Sequence, residues 1–411
     1  MQPNSNLKDK LTFLCGSYDE LVSLDKVKAL KPFDEKVMSF LQDLSSAILK
    51  SSDAKAYPDV YTFGFYLRKG NLEKLYKEHF TPKIQNRNNV IYKGRGVAFH
   101  IAPSNVPVNF AYSLFCGLIT GNSNVVRCSS KDFAQVDIIC KCINCALLEH
   151  QDLKPYIQVV KYEADKEVND YLSSLCNIRV IWGGDITISK LRESPLPPRS
   201  KEITFADRYS IAIINAEDYL KAEIKAKIAQ DFYNDTYLTD QNACTSPRLI
   251  VWTGSNKCQA QDEFYTNLYM LVKTKYQITA IQAMNKLTSS YLVAASFDGV
   301  EVVKSSDKAI DNLITRVRLQ SLDNDLMNYK DNSGYFFEYE TNELEEIIPA
   351  LDNVKCQTVA ILGKIDGLDN VLSFVSGVDR VVSIGHTMDF DLIWDGYDLV
   401  DEMTRKIYSL G

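Results

Sequence analysis

At 411 residues the chain has room for about two or three domains, and 45% hydrophobic with 24% charged residues is the balance of an ordinary globular protein. A net charge of −7, with acids and bases interspersed and no stripe of Lys and Arg between aromatics, argues against a nucleic-acid surface. The longest nearly unbroken apolar run, Phe110 to Ile119, is too short to span a bilayer, and MQPNSNLKDK lacks the apolar stretch of a secretory signal. A cytoplasmic protein working on small molecules, without a membrane span, is the expectation.

In chain order, the first ninety residues are expected to form a helical lead-in. In DEKVMSFLQDLSSAILK, for example, Val37, Phe40, Leu41, Leu44 and Ile48 share one face at about 100° per residue. The pattern then changes. GVAFHIA (96–102) reads as a strand, VPVNFAYSLFCGLITGN as an apolar helix ending near Gly121, and NVVRCSS (124–130) as a second strand, which together make a βαβ unit. A helix through FAQVDIICKCINCALLEH, a strand YIQVVKY, a helix near Tyr171 and a strand IRVIWGG (178–184) extend a parallel sheet wrapped by helices. After the breaker loop RESPLPPRS, the strand YSIAIIN, a charged helix from Ala216 and the strand RLIVW open a second α/β domain. Helices and strands then alternate through GYFFEYE, CQTVAIL and DRVVSIG to a closing FDLIWDGYDLVDEMTRKIY.

Several segments could carry chemistry. The strand GVAFHIA runs into Pro103-Ser104-Asn105 ahead of a helix, where open parallel sheets place ligands. The Asn105 amide could donate to a developing oxyanion or simply cap the helix. Arg127 ends the next strand, followed by Ser129, Ser130 and Lys131, groups suited to a ribose or phosphate or to a solvated strand end. Gly183-Gly184 at a strand-to-helix junction would let backbone approach a pyrophosphate, although paired glycines are common in turns.

The ten cysteines follow no regular spacing and are read as reduced thiols. The run Cys140, Cys142, Cys145 near His150 suggests a metal only superficially, because helical spacing sets Cys140 and Cys142 about 200° apart, so no metal is expected. His386, after Gly385, is either a useful titrating group or an incidental loop histidine. Cys244 differs from the other cysteines. It sits among Asp240, Gln241, Asn242, Thr245 and Ser246, directly before a strand, the partly exposed polar setting in which a thiol can act as a nucleophile.

Taken in order, GVAFHIAPSNVP, GNSNVVRCSS, the glycine turn after a strand, and DQNACTSPR resemble the aldehyde dehydrogenase superfamily. The later FADRYS, CQTVA, GVDRVVSIG and WDGYDL are closer in character to its acyl-CoA reductase branch, typified by the fatty-acyl (long-chain acyl-protein thioester) reductase of bacterial bioluminescence. The resemblance spans about residues 90 to 400. It implies an α/β, aldehyde dehydrogenase-like fold with a Rossmann-type cofactor domain at 1–207 including the helical lead-in. A catalytic α/β domain would follow at 208–385, and a C-terminal segment at 386–411 could serve oligomerisation.

It also implies Cys244 as nucleophile and Asn105 as oxyanion amide. Arg127 would stand where the superfamily usually has a lysine, joined by Ser129, Ser130, Lys131, Gly183 and Gly184 around the cofactor. NADPH is expected, because Arg127 and Lys131 could pair with a 2′-phosphate. The implied partners are an acyl thioester, an acyl-activating or acyl-transferring enzyme, and further copies of the chain. An oxidising aldehyde dehydrogenase would need a carboxylate base, and the nearest are Glu202 and Asp207, neither in a Glu-Leu-Gly-Gly setting. A catalytically silent subunit of an acyl-transfer complex is the remaining alternative.

Overall fold

The computed structural model describes residues 7–85, 89–303 and 311–408. The chain divides into two compact units, Met1–Ala206 with Asp391–Gly411, and Asp207–Phe390.

The first unit is built on six strands: β1 (Thr12–Cys15), β3 (Val97–Ile101), β4 (Ser123–Arg127), β5 (Ile157–Lys161), β6 (Ile178–Trp182) and β7 (Lys201–Phe205), in the order β1-β5-β4-β3-β6-β7. All pairs are parallel except β1 with β5. Because β3 leads to β4 and β5 on one side and is flanked by β6 on the other, the strand order reverses beside β3. In open parallel sheets ligands bind beside such a reversal, at the carboxyl ends of the strands, here β3, β4 and β6. One face of the sheet buries Val97, Phe99, Ile101, Val125 and Ile181.

The other face carries a fully buried polar chain. His100 Nδ1 meets Ser113 Oγ at 2.7 Å, Trp182 Nε1 donates to the same hydroxyl at 3.0 Å, and His100 Nε2 meets Asn124 Oδ1 at 3.1 Å. Burial pushes the His100 imidazole down to about 4, so it stays neutral and serves structure.

The helical lead-in is present, and Glu35–Lys50 buries the expected face, with Asp34 as its N-cap. Two strands escaped the periodicity reading. TFLC is too short to show alternation, and KEITF begins with two charged residues, yet both form outer strands of the sheet. The C-terminal residues belong to the first unit: Thr404–Tyr408 pairs antiparallel with β2 (Val90–Gly94).

The second unit is a seven-stranded sheet of β8 (Tyr209–Asn215), β9 (Pro247–Thr253), β10 (Glu301–Val303), β11 (Thr315–Arg318), β12 (Tyr335–Glu340), β13 (Cys356–Leu362) and β14 (Arg380–Ser383), in the order β10-β11-β12-β9-β8-β13-β14. All pairs are parallel except β10 with β11. Its central strands are mostly apolar because both faces are covered, with Ser210, Arg248 and Glu338 as buried polar exceptions. Ile211, Ile213, Leu249 and Val251 enter one core, and Ala212, Ile214, Ile250 and Trp252 the other.

Candidate active site

In the first unit, the segments singled out by sequence converge at one sheet edge, since β3, β4 and β6 are parallel neighbours. The Asn105 side chain is exposed and, among the described residues, makes no hydrogen bond. The helix Asn109–Ile119 begins after Val108, with no side-chain cap. The capping alternative is therefore ruled out.

Arg127 ends β4. Its guanidinium lies 4.7 Å over the Tyr162 ring and reaches the Tyr162 carbonyl at 3.4 Å, while its buried Nε has no partner. A buried donor without a partner at the carboxyl edge of a parallel sheet fits a group that brings an acceptor. Ser129 Oγ accepts from the Lys131 backbone N–H at 3.2 Å, and Ser130 and Lys131 are exposed. Asp132, which follows Lys131, adds a carboxylate beside this turn and pairs with Lys161 at 3.0 Å.

Gly184 is the N-cap of the helix Asp185–Arg192, and a Cβ there would meet nothing within 4 Å. A helix start with open space above its cap suits a phosphate, with exposed Asp185 in the same first turn as an opposing charge.

Glu202 is spent elsewhere. One carboxylate oxygen accepts from Arg179 at 2.5 and 2.9 Å, and the other from Arg192 at 2.7 Å. Arg179 is buried and also donates to the Leu191 and Ser194 carbonyls. This is a structural ion-pair cluster between β6, β7 and the helix beside them.

In the second unit, Cys244 is half-exposed in a turn between Thr239 and β9, and its carbonyl accepts from Ser210 Oγ at 2.8 Å. The turn is tightly held. Asp240 and Gln241 both have left-handed backbones, φ +53° and +57°, which costs about 1 kcal/mol or more per non-glycine residue. Compensation comes from the buried Gln241 amide. It donates to the Pro247 and Tyr335 carbonyls at 2.9 and 3.1 Å and accepts from the N–H groups of Gly334 and Tyr335 at 3.0 and 3.1 Å. Asn242 accepts from Asn332 Nδ2 at 2.8 Å, and Thr245 Oγ1 lies 3.1 Å from Met388 Sδ.

Met388 follows a loop held by a buried acid that sequence reasoning did not single out. Asp235, fully buried, accepts from the N–H groups of Gly385 and Thr387 at 2.6 and 3.1 Å. Its signal was its place beside Ala229, Phe232, Tyr233 and Thr236, the buried face of its helix. His386, in the same loop, is exposed and bonds Asp389 at 2.7 Å. Asp207 pairs with Lys330 at 3.3 Å.

Five other cysteines are poorly placed to act as nucleophiles. Cys116, Cys128, Cys140, Cys176 and Cys356 are buried, and burial, joined at Cys140 by a larger effect from a hydrogen bond with Cys15, holds their thiols protonated. Among the described residues no group of His, Cys, Asp and Glu is arranged to hold a metal ion, and no helix is long and apolar enough to cross a membrane.

Two α/β units, each built on a mostly parallel sheet, make an aldehyde dehydrogenase-like fold. The similarity extends to solved structures. Aldehyde dehydrogenase from Brucella melitensis biovar abortus 2308 superposes with a TM-score of 0.66 at 13% identity, covering 95% of this chain and 88% of that one. The family model described as Acyl-CoA reductase (LuxC) matches residues 78–285, and the chain belongs to that family.

Among curated relatives, the long-chain acyl-protein thioester reductase of Aliivibrio fischeri is 23% identical over 71% of this chain and 58% of its own length. That of Photobacterium phosphoreum is 25% identical over 65% and 52%. The chain thus spans little more than half the length of these relatives.

Proposed function

We propose that the protein reduces an acyl thioester, acyl-CoA or acyl-protein, to an aldehyde, with Cys244 as the nucleophile and NADPH as the reductant. The observation that carries this reading is the Cys244 turn, a half-exposed thiol on a rigid loop within a chain of the acyl-CoA reductase family. The Cys244 thiolate attacks the thioester carbonyl, the S-acyl bond forms as the donor's carbon–sulfur bond breaks, and the donor leaves as a thiolate that takes up a proton. The Asn105 amide and the Cys244 backbone N–H are assigned to the oxyanion.

For the cofactor, the open Arg127 Nε and the space above Gly184 fit a dinucleotide's ribose and phosphates, with Ser129, Ser130, Lys131, Gly183 and Gly184 around them. When bound, reduced nicotinamide supplies hydride. Oxidation to an acid is disfavoured because it needs a carboxylate to activate water, and Glu202 is bonded at both oxygens while Asp207 is paired with Lys330. A cytoplasmic homo-oligomer fed by an acyl-transferring enzyme completes the proposal.

The test is an intact-mass spectrum after incubation with acyl-CoAs of graded chain length and no cofactor. A single acyl adduct is expected on Cys244, discharged as aldehyde by NADPH. Cys244→Ala should take no adduct and lose activity by many powers of ten. A Cys244→Ala protein that still reduces acyl-CoA would end the proposal, as would rapid acid release from the wild type.

A further inference from the structure

The bonds that close the Cys244 turn include a cation. Arg248, in β9, is only 5% exposed, yet its guanidinium reaches back across the turn to the carbonyl of Gln241. Gln241 answers with its own side-chain bond to the Pro247 carbonyl. The two ends of segment 241–248 are thus tied twice, with Cys244 midway between them. The other terminal nitrogen, Nη1, donates to the Asp331 carbonyl and to Asn332 Oδ1, each at 2.5 Å. Asn332 in turn bonds Asn242 inside the turn.

Every acceptor on Arg248 is neutral. The carboxylates that surround it are engaged by other donors: Asp240 by Tyr276, Gln282 and Ser333, Asp331 by Ser289, and Asp207 by Lys330. Among the described residues, none lies within ion-pair distance of Arg248. The other buried cation nearby, Lys286, donates to the Asn312 and Ser333 carbonyls and so braces the loop behind the turn.

We propose that Arg248 is a positioning residue for Cys244, closing the base of its turn and supplying a fixed positive charge that favours the thiolate. A buried guanidinium without a carboxylate partner is costly, and a nearby thiolate is a counter-charge that would repay it. Burial lowers Arg248 to about 10, and Cys244 is the first of the negative groups that oppose that fall. Arginine suits the role because its planar fork can bond several oxygens at once while keeping its charge.

This inference rests on Cys244 being the nucleophile, and it is tested by a readout that needs no substrate. In the full-length protein, alkylation of Cys244 by iodoacetamide is followed by peptide mass from pH 5.5 to 9.5. Wild-type Cys244 should become reactive at a pH below the ordinary thiol range of about 8.5. Arg248→Gln should react at least about tenfold more slowly at pH 7, with its profile moved up by about one pH unit or more. Arg248→Lys, which keeps the charge and loses the fork, should lie nearer the wild type than Arg248→Gln.

A folded Arg248→Gln with the wild-type profile overturns the assignment. If that variant does not fold, a wild-type Cys244 that reacts only in the ordinary range overturns it equally. An Arg248-dependent profile in a protein that accepts no acyl group counts against the proposed function and leaves Arg248 standing. An acylated protein whose profile ignores Arg248 does the reverse.

Discussion

Asp235 gives the sharpest stability prediction. Burial raises its carboxyl from 3.8 to about 6, against the lowering effect of the Gly385 and Thr387 hydrogen bonds. A group whose folded value is raised contributes stability fully present below its unfolded value and lost as pH rises through the folded one. Here the contribution is complete below about pH 3.8 and gone above about pH 6. The displacement corresponds to about 3 kcal/mol in all, of which about 2 kcal/mol falls between pH 4 and pH 7.

Asp235→Asn abolishes the titration but turns an NH₂ toward one of two backbone N–H groups, so its absolute stability drops by about 1–3 kcal/mol at low pH. The stability difference between variant and wild type should nevertheless swing by about 2 kcal/mol in the variant's favour from pH 4 to pH 7. Urea unfolding at both pH values, read by tryptophan fluorescence, measures that swing. A difference that stays constant across this range refutes the reasoning, because it would mean that Asp235 titrates alike in folded and unfolded chains.

Asn105→Ala should lower kcat about a hundredfold while the melting temperature stays put, because the side chain is exposed and bonds nothing; a fall in melting temperature with kcat spared would contradict this. Glu202→Gln should cost about 3 kcal/mol of stability by leaving Arg179 buried without its carboxylate, with the aldehyde-to-acid ratio of products unchanged; loss of an acid-forming activity would instead mark Glu202 as a base. NADPH should exceed NADH in kcat/KM, and Lys131→Ala should narrow the gap. Equal values for the two cofactors in the wild type would remove the basis for assigning a 2′-phosphate to this turn.

Much of this was legible in the sequence because it depends on neighbours in the chain. Mostly apolar runs such as YSIAIIN and RLIVW announce strands covered on both faces, and the strand-helix-strand rhythm places Asn105, Arg127 and Gly183-Gly184 at strand ends, since parallel connections return every loop to the same edge. A polar turn before RLIVW marked Cys244 as unlike the buried thiols.

What sequence could not show depends on partners far along the chain. TFLC and KEITF became strands because β5 and β6 offered them open edges, a tertiary effect that overrides weak local pattern. Whether Asn105 capped a helix turned on where that helix starts, and it starts four residues later. Glu202 was in sequence only one of the carboxylates nearest to where a base would stand, and the bonds from Arg179 and Arg192 to both its oxygens come from the tertiary structure. Nothing along the chain singles out Arg248 at its strand start, and only the turn folding back on itself, with Asp331 and Asn332 arriving from more than eighty residues away, shows where its charge is held. Hydrogen bonds and buried charges are satisfied in space rather than along the chain, so the roles of these residues were decided by the tertiary structure alone.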